Sequence, residues 1–253
     1  MANTLSNSKN YIIKQNWTLE EIIGTSSKSI ESEPIYNLLR PIAYRLSWVF
    51  LRWNVAPNTI TFAFIGCLVL ASVVLALRPM DGGPIVGLLI IMSYILDICD
   101  GQVARAAKRY SSIGDKIDLL GHWVTNNLLI LGATLGQIGL GAGQIVWLIG
   151  MIAMLGTNSY YYMQHTLMPY SPLSPDANKK TGSIDEQNQT GNKSILRHIR
   201  NLLHVFAPLD TNLLAALSLV GLSFLAIQIW AIISNVATFV IFGQYYWRET
   251  HQL

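Results

Sequence analysis

The feature that most limits what this chain can fold into is a series of apolar runs, each about as long as a membrane span. The first covers about residues 58–78, the second about 84–108, the third about 112–136 and the fourth about 143–165. A last run without charge, Thr211 to Tyr246, is too long for one helix of about 20 residues. It divides into two spans, with the break expected near Ile227 to Trp230. Composition agrees: 51% of residues are hydrophobic and 12% are charged, against about 25% charged in soluble domains. The expected fold is all-α and polytopic: about six transmembrane helices in one membrane domain, with no room for a second large one.

The expected layout follows the polarity. Residues 1–33 form a polar N-terminal tail with no apolar core, so no secretory signal peptide is expected and the first span acts as the membrane signal. Thr18 and Glu21 have the spacing of a capping box, which allows a short helix or a partly ordered tail. Residues 34–53 interleave Leu, Ile, Trp and Phe with Arg40, Arg45 and Arg52. That pattern suits an amphipathic helix lying in the interface, ahead of a membrane domain over 54–247 and a short tail over 248–253. A polar loop over 166–207 carries Pro169, Pro172 and Pro175 and ends in a basic amphipathic piece, Ile195 to Phe206. Cys67 and Cys99 both lie in apolar runs and read as small buried hydrophobes, with no disulfide framework. Tyr160, Tyr161, Tyr162 and the Tyr245-Tyr246-Trp247 end read as interfacial belts.

Orientation follows from the basic residues. With the N-terminus inside, the Lys and Arg of the N-terminal part, the 105–116 hinge, the long loop and the tail are all cytoplasmic, and only Arg78 lies outside. The expectation is a multi-pass integral membrane protein of a bacterial inner membrane, or of an endomembrane if the source is eukaryotic. Its membrane lipids are partners, and no nucleic-acid partner is expected.

Between Leu96 and Trp123 the apolar pattern is broken by four acidic residues, Asp97, Asp100, Asp115 and Asp118. Acids at or beside hydrocarbon are costly and mark functional sites. At about 100° per residue, Asp97 and Asp100 share one helix face, with Gly101 and Ala104 between and beside them. On the next helix Asp115, Asp118 and His122 share a face at i, i+3 and i+7. Carboxylates crowded together repel unless a cation neutralises them. Oxygen-rich sets suit Mg²⁺ or Mn²⁺, and an imidazole is better tolerated by Mn²⁺. Gly101 and Ala104 leave room for a phosphate-bearing ligand to approach the backbone. Arg105, Lys108, Arg109 and Lys116 form a basic rim. Metal plus arginine at a membrane surface points to phosphate esters.

The stretch resembles the CDP-alcohol phosphotransferase signature, Asp-x2-Asp-Gly-x2-Ala-Arg-x8-Gly-x3-Asp-x3-Asp. Asp97, Asp100, Gly101, Ala104, Arg105, Gly114 and Asp118 match it, and His122 stands where the family has its last Asp. Pro57-Asn58 with Thr61 resembles the Pro-Asn-x-x-Thr that family members carry near the nucleotide, and Arg40-Pro41 is similar to a pair in some subgroups. The resemblance covers roughly Arg40 to Gly136. It implies a six-span enzyme, often a homodimer, that uses divalent metal, here Mg²⁺ or Mn²⁺ and two ions. Such enzymes move a substituted phosphate from a CDP-alcohol to an acceptor alcohol and release CMP, in phospholipid or related phosphodiester synthesis: either CDP-diacylglycerol reacts with a small alcohol, or a CDP-linked small alcohol reacts with a lipid or polyol acceptor. It also implies that Asp97, Asp100, Asp118 and His122 ligate metal and that Asp118 and His122 are catalytic. Asn58, Thr61, Gly101, Ala104, Arg105 and Gly114 would contact the nucleotide.

His122 leaves three readings open: a working substitute that shifts metal preference toward Mn²⁺, a transfer of the acid's role to Asp115, or loss of activity. The rivals to an enzyme are a degenerate relative serving as a membrane binding subunit and, further off, an ion-coupled transporter. No inverted repeat is visible and the acids crowd one interface, which argues against a transport pathway.

Overall fold

The computed structural model describes residues 17–26, 34–109, 113–163 and 209–251, and among these it is helical with no strand. Eight helices are described: α1 (Leu19–Ser26), α2 (Pro34–Arg52), α3 (Pro57–Leu77), α4 (Gly83–Ala107), α5 (Gly114–Gly139), α6 (Ile145–Tyr162), α7 (Leu209–Leu219) and α8 (Ser223–His251). Residues 1–16 and 27–33 of the expected tail over 1–33, and the loop over 166–207 with its Ile195–Phe206 piece, lie outside the described residues.

The elements start and stop for local reasons. At α1 the Thr18 backbone N–H donates to Glu21 Oε2 at 3.1 Å, and the Glu21 N–H donates to Thr18 Oγ1 at 3.3 Å. This is the capping box expected from the sequence, satisfying two of the free donors of a first turn. α3 opens with Pro57, whose missing N–H costs nothing at that position. α2 and α4 both end with a residue in the left-handed region, Asn54 (φ 55°) and Lys108 (φ 53°). In each case the next residue bonds back across the turn: Val55 N–H to Phe50 O at 2.9 Å, and Arg109 N–H to Ala104 O at 3.0 Å. The Arg109 guanidinium then donates to Asn54 Oδ1, tying the two helix ends together.

The break in the last apolar run falls at residues 220–222, not near Ile227 to Trp230 as expected, because Gly221 takes φ 79° and closes the turn. Its N–H bonds Ser218 O at 3.0 Å, and Leu222 N–H bonds Leu217 O at 2.7 Å. Ile227 and Trp230 lie inside continuous helix and are buried at 0% and 1% exposure.

Among the described residues, three helical segments are long and apolar enough to cross a membrane: Pro57–Leu77, Gly83–Ala107 and Ser223–Val240. Six spans were the expectation. α5 falls short of this measure because its first half carries Asp115, Lys116, Asp118, His122, Asn126 and Asn127. α6 ends in Thr157, Asn158, Ser159 and three tyrosines, and α7 has 11 described residues. The outward faces are apolar. Phe62, Leu70 and Val73 on α3, Ile85, Leu88 and Met92 on α4, and Ile232, Val236 and Phe239 on α8 are all exposed. Helices apolar on both the packed and the outward face fit a hydrocarbon surround.

Packing is set by small residues. α3 packs against both α4 and α5 along its buried stripe Ile60, Phe64, Leu68, Ala71 and Leu75. On α5, Gly132 and Gly136 lie against the backbone carbonyls of Ser72 and Leu75, where a Cβ would collide. On α4, Gly83 meets the Ser218 carbonyl of α7 in the same way, and Gly87 lies under the Leu219 side chain. Such small-xxx-small pairs bring helix backbones close in membranes. α2 docks on α4 through Leu39, Ala43, Ser47 and Leu51, spaced four apart and all buried. Ser47 Oγ donates to the buried Gln102 Oε1 at 2.8 Å. α2 leaves Leu38 and Ile42 exposed on its other side.

Candidate metal centre

The site forms where the second half of α4 passes the first turns of α5. On α4, Asp97 and Asp100 are about 60° apart around the axis, since three residues turn about 300°. They share a broad face but lean to different neighbours. Asp97 leans to α5, where His122 Nε2 lies 3.3 Å from Asp97 Oδ1. Asp100 leans to α3, where Thr61 Oγ1 donates to Asp100 Oδ2 at 2.7 Å. On α5, Asp118 and His122 are one turn apart, and His122 Nε2 lies 3.5 Å from Asp118 Oδ1.

Asp97, Asp118 and His122 each offer one ligand atom, and these atoms all lie within 4.8 Å of one another. Two carboxylate oxygens and an imidazole nitrogen at that separation are a suitable donor set for a divalent cation. The side chains are 15%, 42% and 30% exposed respectively, so the set is open toward Asp118 and closed behind Asp97. Asp118 Oδ1 is itself buried against His122, so the exposed part of that carboxylate is its outer side.

The other expected site residues fall into place around this set. Asp100 is not part of the converging set of two acids and one imidazole; its fixed partner is Thr61. Asp115 is exposed in the first turn of α5, also apart from the three. Gly101 lies under the guanidinium of Arg105, which would sit 3.0 Å from a Cβ there. Ala104 and Gly114 are half-buried, one near the end of α4 and one at the start of α5. Asn58 is half-buried one turn before Thr61. Of the basic rim, Lys108 and Lys116 are exposed and Arg109 is bound to Asn54.

Sequence reasoning missed two groups. Phe64 stacks on His122, ring centroids 4.9 Å apart and planes 26° apart. A single Phe in an apolar run carries no signal of such a role. Asn158 on α6 accepts from Trp123 Nε1 at 2.7 Å and Asn127 Nδ2 at 2.9 Å. Asn126 Nδ2 donates to Tyr161 OH at 3.0 Å. The asparagines next to the site thus join α5 to α6, and their signal was an unusual density of amides in an apolar run.

No curated protein matches the chain. Residues 54–181, just over half of the 253, match the CDP-alcohol phosphatidyltransferase family. The match contains α3, α4, α5 and α6 and every residue of the cluster, and it begins after the Arg40-Pro41 pair. With the all-helical architecture, the apolar spans and this match in hand, the chain belongs to the CDP-alcohol phosphatidyltransferase family of membrane proteins.

Proposed function

We propose that this protein transfers a substituted phosphate from a CDP-alcohol to an acceptor alcohol, releasing CMP, at a divalent-metal centre held by Asp97, Asp118 and His122. The observation that carries the reading is the convergence of those three ligand atoms within 4.8 Å across α4 and α5. Asp100, braced by Thr61, supplies the carboxylate for a second ion. A divalent cation bound there would draw charge from the phosphoryl oxygens. Arg105, over Gly101, faces the anionic phosphates at the α4 surface. The acceptor hydroxyl must lose a proton. Asp118 is placed to take it, since it is the most exposed of the three ligands and its outer side faces away from His122. His122, in place of the signature acid, serves as a nitrogen ligand and favours Mn²⁺ over Mg²⁺. The site opens to the cytoplasmic side, where the rim of Arg105, Lys108, Arg109 and Lys116 lies, and one of the two alcohols is a lipid.

A second reading rests on the same contacts. His122 Nε2 already touches both carboxylates, at 3.3 and 3.5 Å. An imidazolium there would offset one of their two negative charges without metal, leaving a binding protein that has given up the chemistry. The test is CMP release by the full chain in detergent with added lipid, across a panel of CDP-alcohols and acceptors with Mg²⁺ or Mn²⁺. Turnover by the natural protein, abolished in Asp97→Ala, supports the enzyme. Turnover by His122→Asp alone supports the binding protein.

A further inference from the structure

We propose that Phe64 is a positioning residue for the metal centre: its ring fixes the rotation of the His122 imidazole and so aims Nε2 at the site between Asp97 and Asp118. The proposal rests on the metal-centre reading above and adds a third helix to it.

A histidine that binds metal through one ring nitrogen is ordinarily held by a hydrogen bond on the other, to a carboxylate, a carbonyl or water. Among the described residues His122 has no such anchor. Among the described residues its polar side-chain contacts are those of Nε2 with Asp97 and Asp118. The torsion that spins an imidazole about its own bond is broad, so those two contacts alone leave the ring free to tilt. What restrains its plane is Phe64, fully buried and stacked at 4.9 Å with 26° between planes. The backbone beneath is held as well, with Thr125 Oγ1 accepted by Gly121 O at 2.7 Å and His122 O at 3.3 Å.

The approach is built into both helices. Phe64 belongs to the same buried stripe of α3 that packs against α4 and α5. Gly121, the residue before His122, has no side chain to block it. A Cβ there would stand 2.6 Å from Ile65 Cδ1 and 3.5 Å from Phe64 Cζ. One turn earlier on α3, Thr61 holds Asp100. α3 therefore braces one site residue on α4 and one on α5 from consecutive turns, although it carries no acid of its own.

The test uses the full-length protein in detergent with Mn²⁺ alone as the probe. Affinity is read by titration, and imidazole ligation by the ¹⁴N coupling in pulsed electron paramagnetic resonance. Wild type is expected to show the coupling, and His122→Asp to bind Mn²⁺ without it. Phe64→Leu and Phe64→Met are expected to bind Mn²⁺ about 10–100-fold more weakly, with the coupling reduced or lost. Met is the gentler change, being unbranched and able to fill an irregular gap. In a His122→Asp background the same Phe64 changes should alter affinity by no more than about twofold, because no ring is left to aim. Equal losses in both backgrounds, or unchanged affinity and coupling in the Phe64 variants, overturn the positioning role and leave the metal centre standing. Wild type that binds Mn²⁺ without ¹⁴N coupling overturns it too, since His122 is then no ligand. Wild type that binds no Mn²⁺ overturns the metal centre itself and this role with it.

Discussion

Replacing Thr61 with valine removes one hydroxyl and little volume, and it isolates the contact that holds Asp100. Thr61 is 4% exposed. Its hydroxyl has one proton and two acceptors in reach: Asp100 Oδ2 at 2.7 Å and Pro57 O at 3.2 Å. The shorter bond takes the proton. Losing it leaves a half-buried carboxylate short of a donor, which costs about 1–3 kcal/mol. Thr61→Val should therefore lower the midpoint of thermal unfolding by about 2–12 °C, measured by circular dichroism in detergent, while Thr61→Ser should recover most of the loss. The cycle with Asp100→Leu makes the reasoning sharper. There the hydroxyl has only Pro57 O to serve, and Thr61→Val should cost no more than about 0.5–1.5 kcal/mol. A Thr61→Val protein within about 0.5 kcal/mol of wild type, or an equal loss in both backgrounds, would refute the claim that Thr61 braces Asp100.

Three further outcomes are expected. Gly136→Ala drives a methyl into Leu75 O and should destabilise the chain by about 1–3 kcal/mol; Gly139→Ala, with nothing within 4 Å of its Cβ, should stay within about 0.5 kcal/mol in the same unfolding assay. Asn158→Leu takes the acceptor from both Trp123 and Asn127 and should cost about 0.6–1.7 kcal/mol per bond, with a shift in tryptophan fluorescence as the indole N–H is freed. Gln102→Leu takes the Oε1 acceptor from the fully buried Ser47 hydroxyl and should cost about 1–3 kcal/mol, which the double variant with Ser47→Ala should partly restore on chemical unfolding.

Features governed by neighbours in the chain were legible in advance. The capping box at Thr18 and Glu21 formed with both of its bonds, because a cap depends on residues three apart. Pro57 opens α3 for the same kind of reason. One local signal was misread. Gly221, near the start of the last apolar run, takes φ 79° without strain, and it marks the break more surely than length does.

The site was legible by composition and only half legible by geometry. Helical spacing placed Asp118 and His122 one turn apart on α5, and their side chains do lie together. The same spacing put Asp97 with Asp100, and Asp115 with Asp118, yet Asp100 turns to Thr61 and Asp115 faces outward. A shared face about 60° wide is broad enough to serve two different neighbours. Which neighbour each acid meets depends on how the helices are rotated against one another.

By itself, then, the sequence determined an all-helical membrane chain and its family, because apolar length, turn spacing and motif are properties of consecutive residues. Only the tertiary structure decided that Asp97, Asp118 and His122 converge, that Thr61 and Phe64 of α3 meet Asp100 and His122, and that Asn127 is spent on Asn158. Those outcomes hang on interhelical rotation and distance. Both are set where Gly121, Gly132 and Gly136 of α5 meet α3, contacts between residues dozens of positions apart that no local pattern encodes.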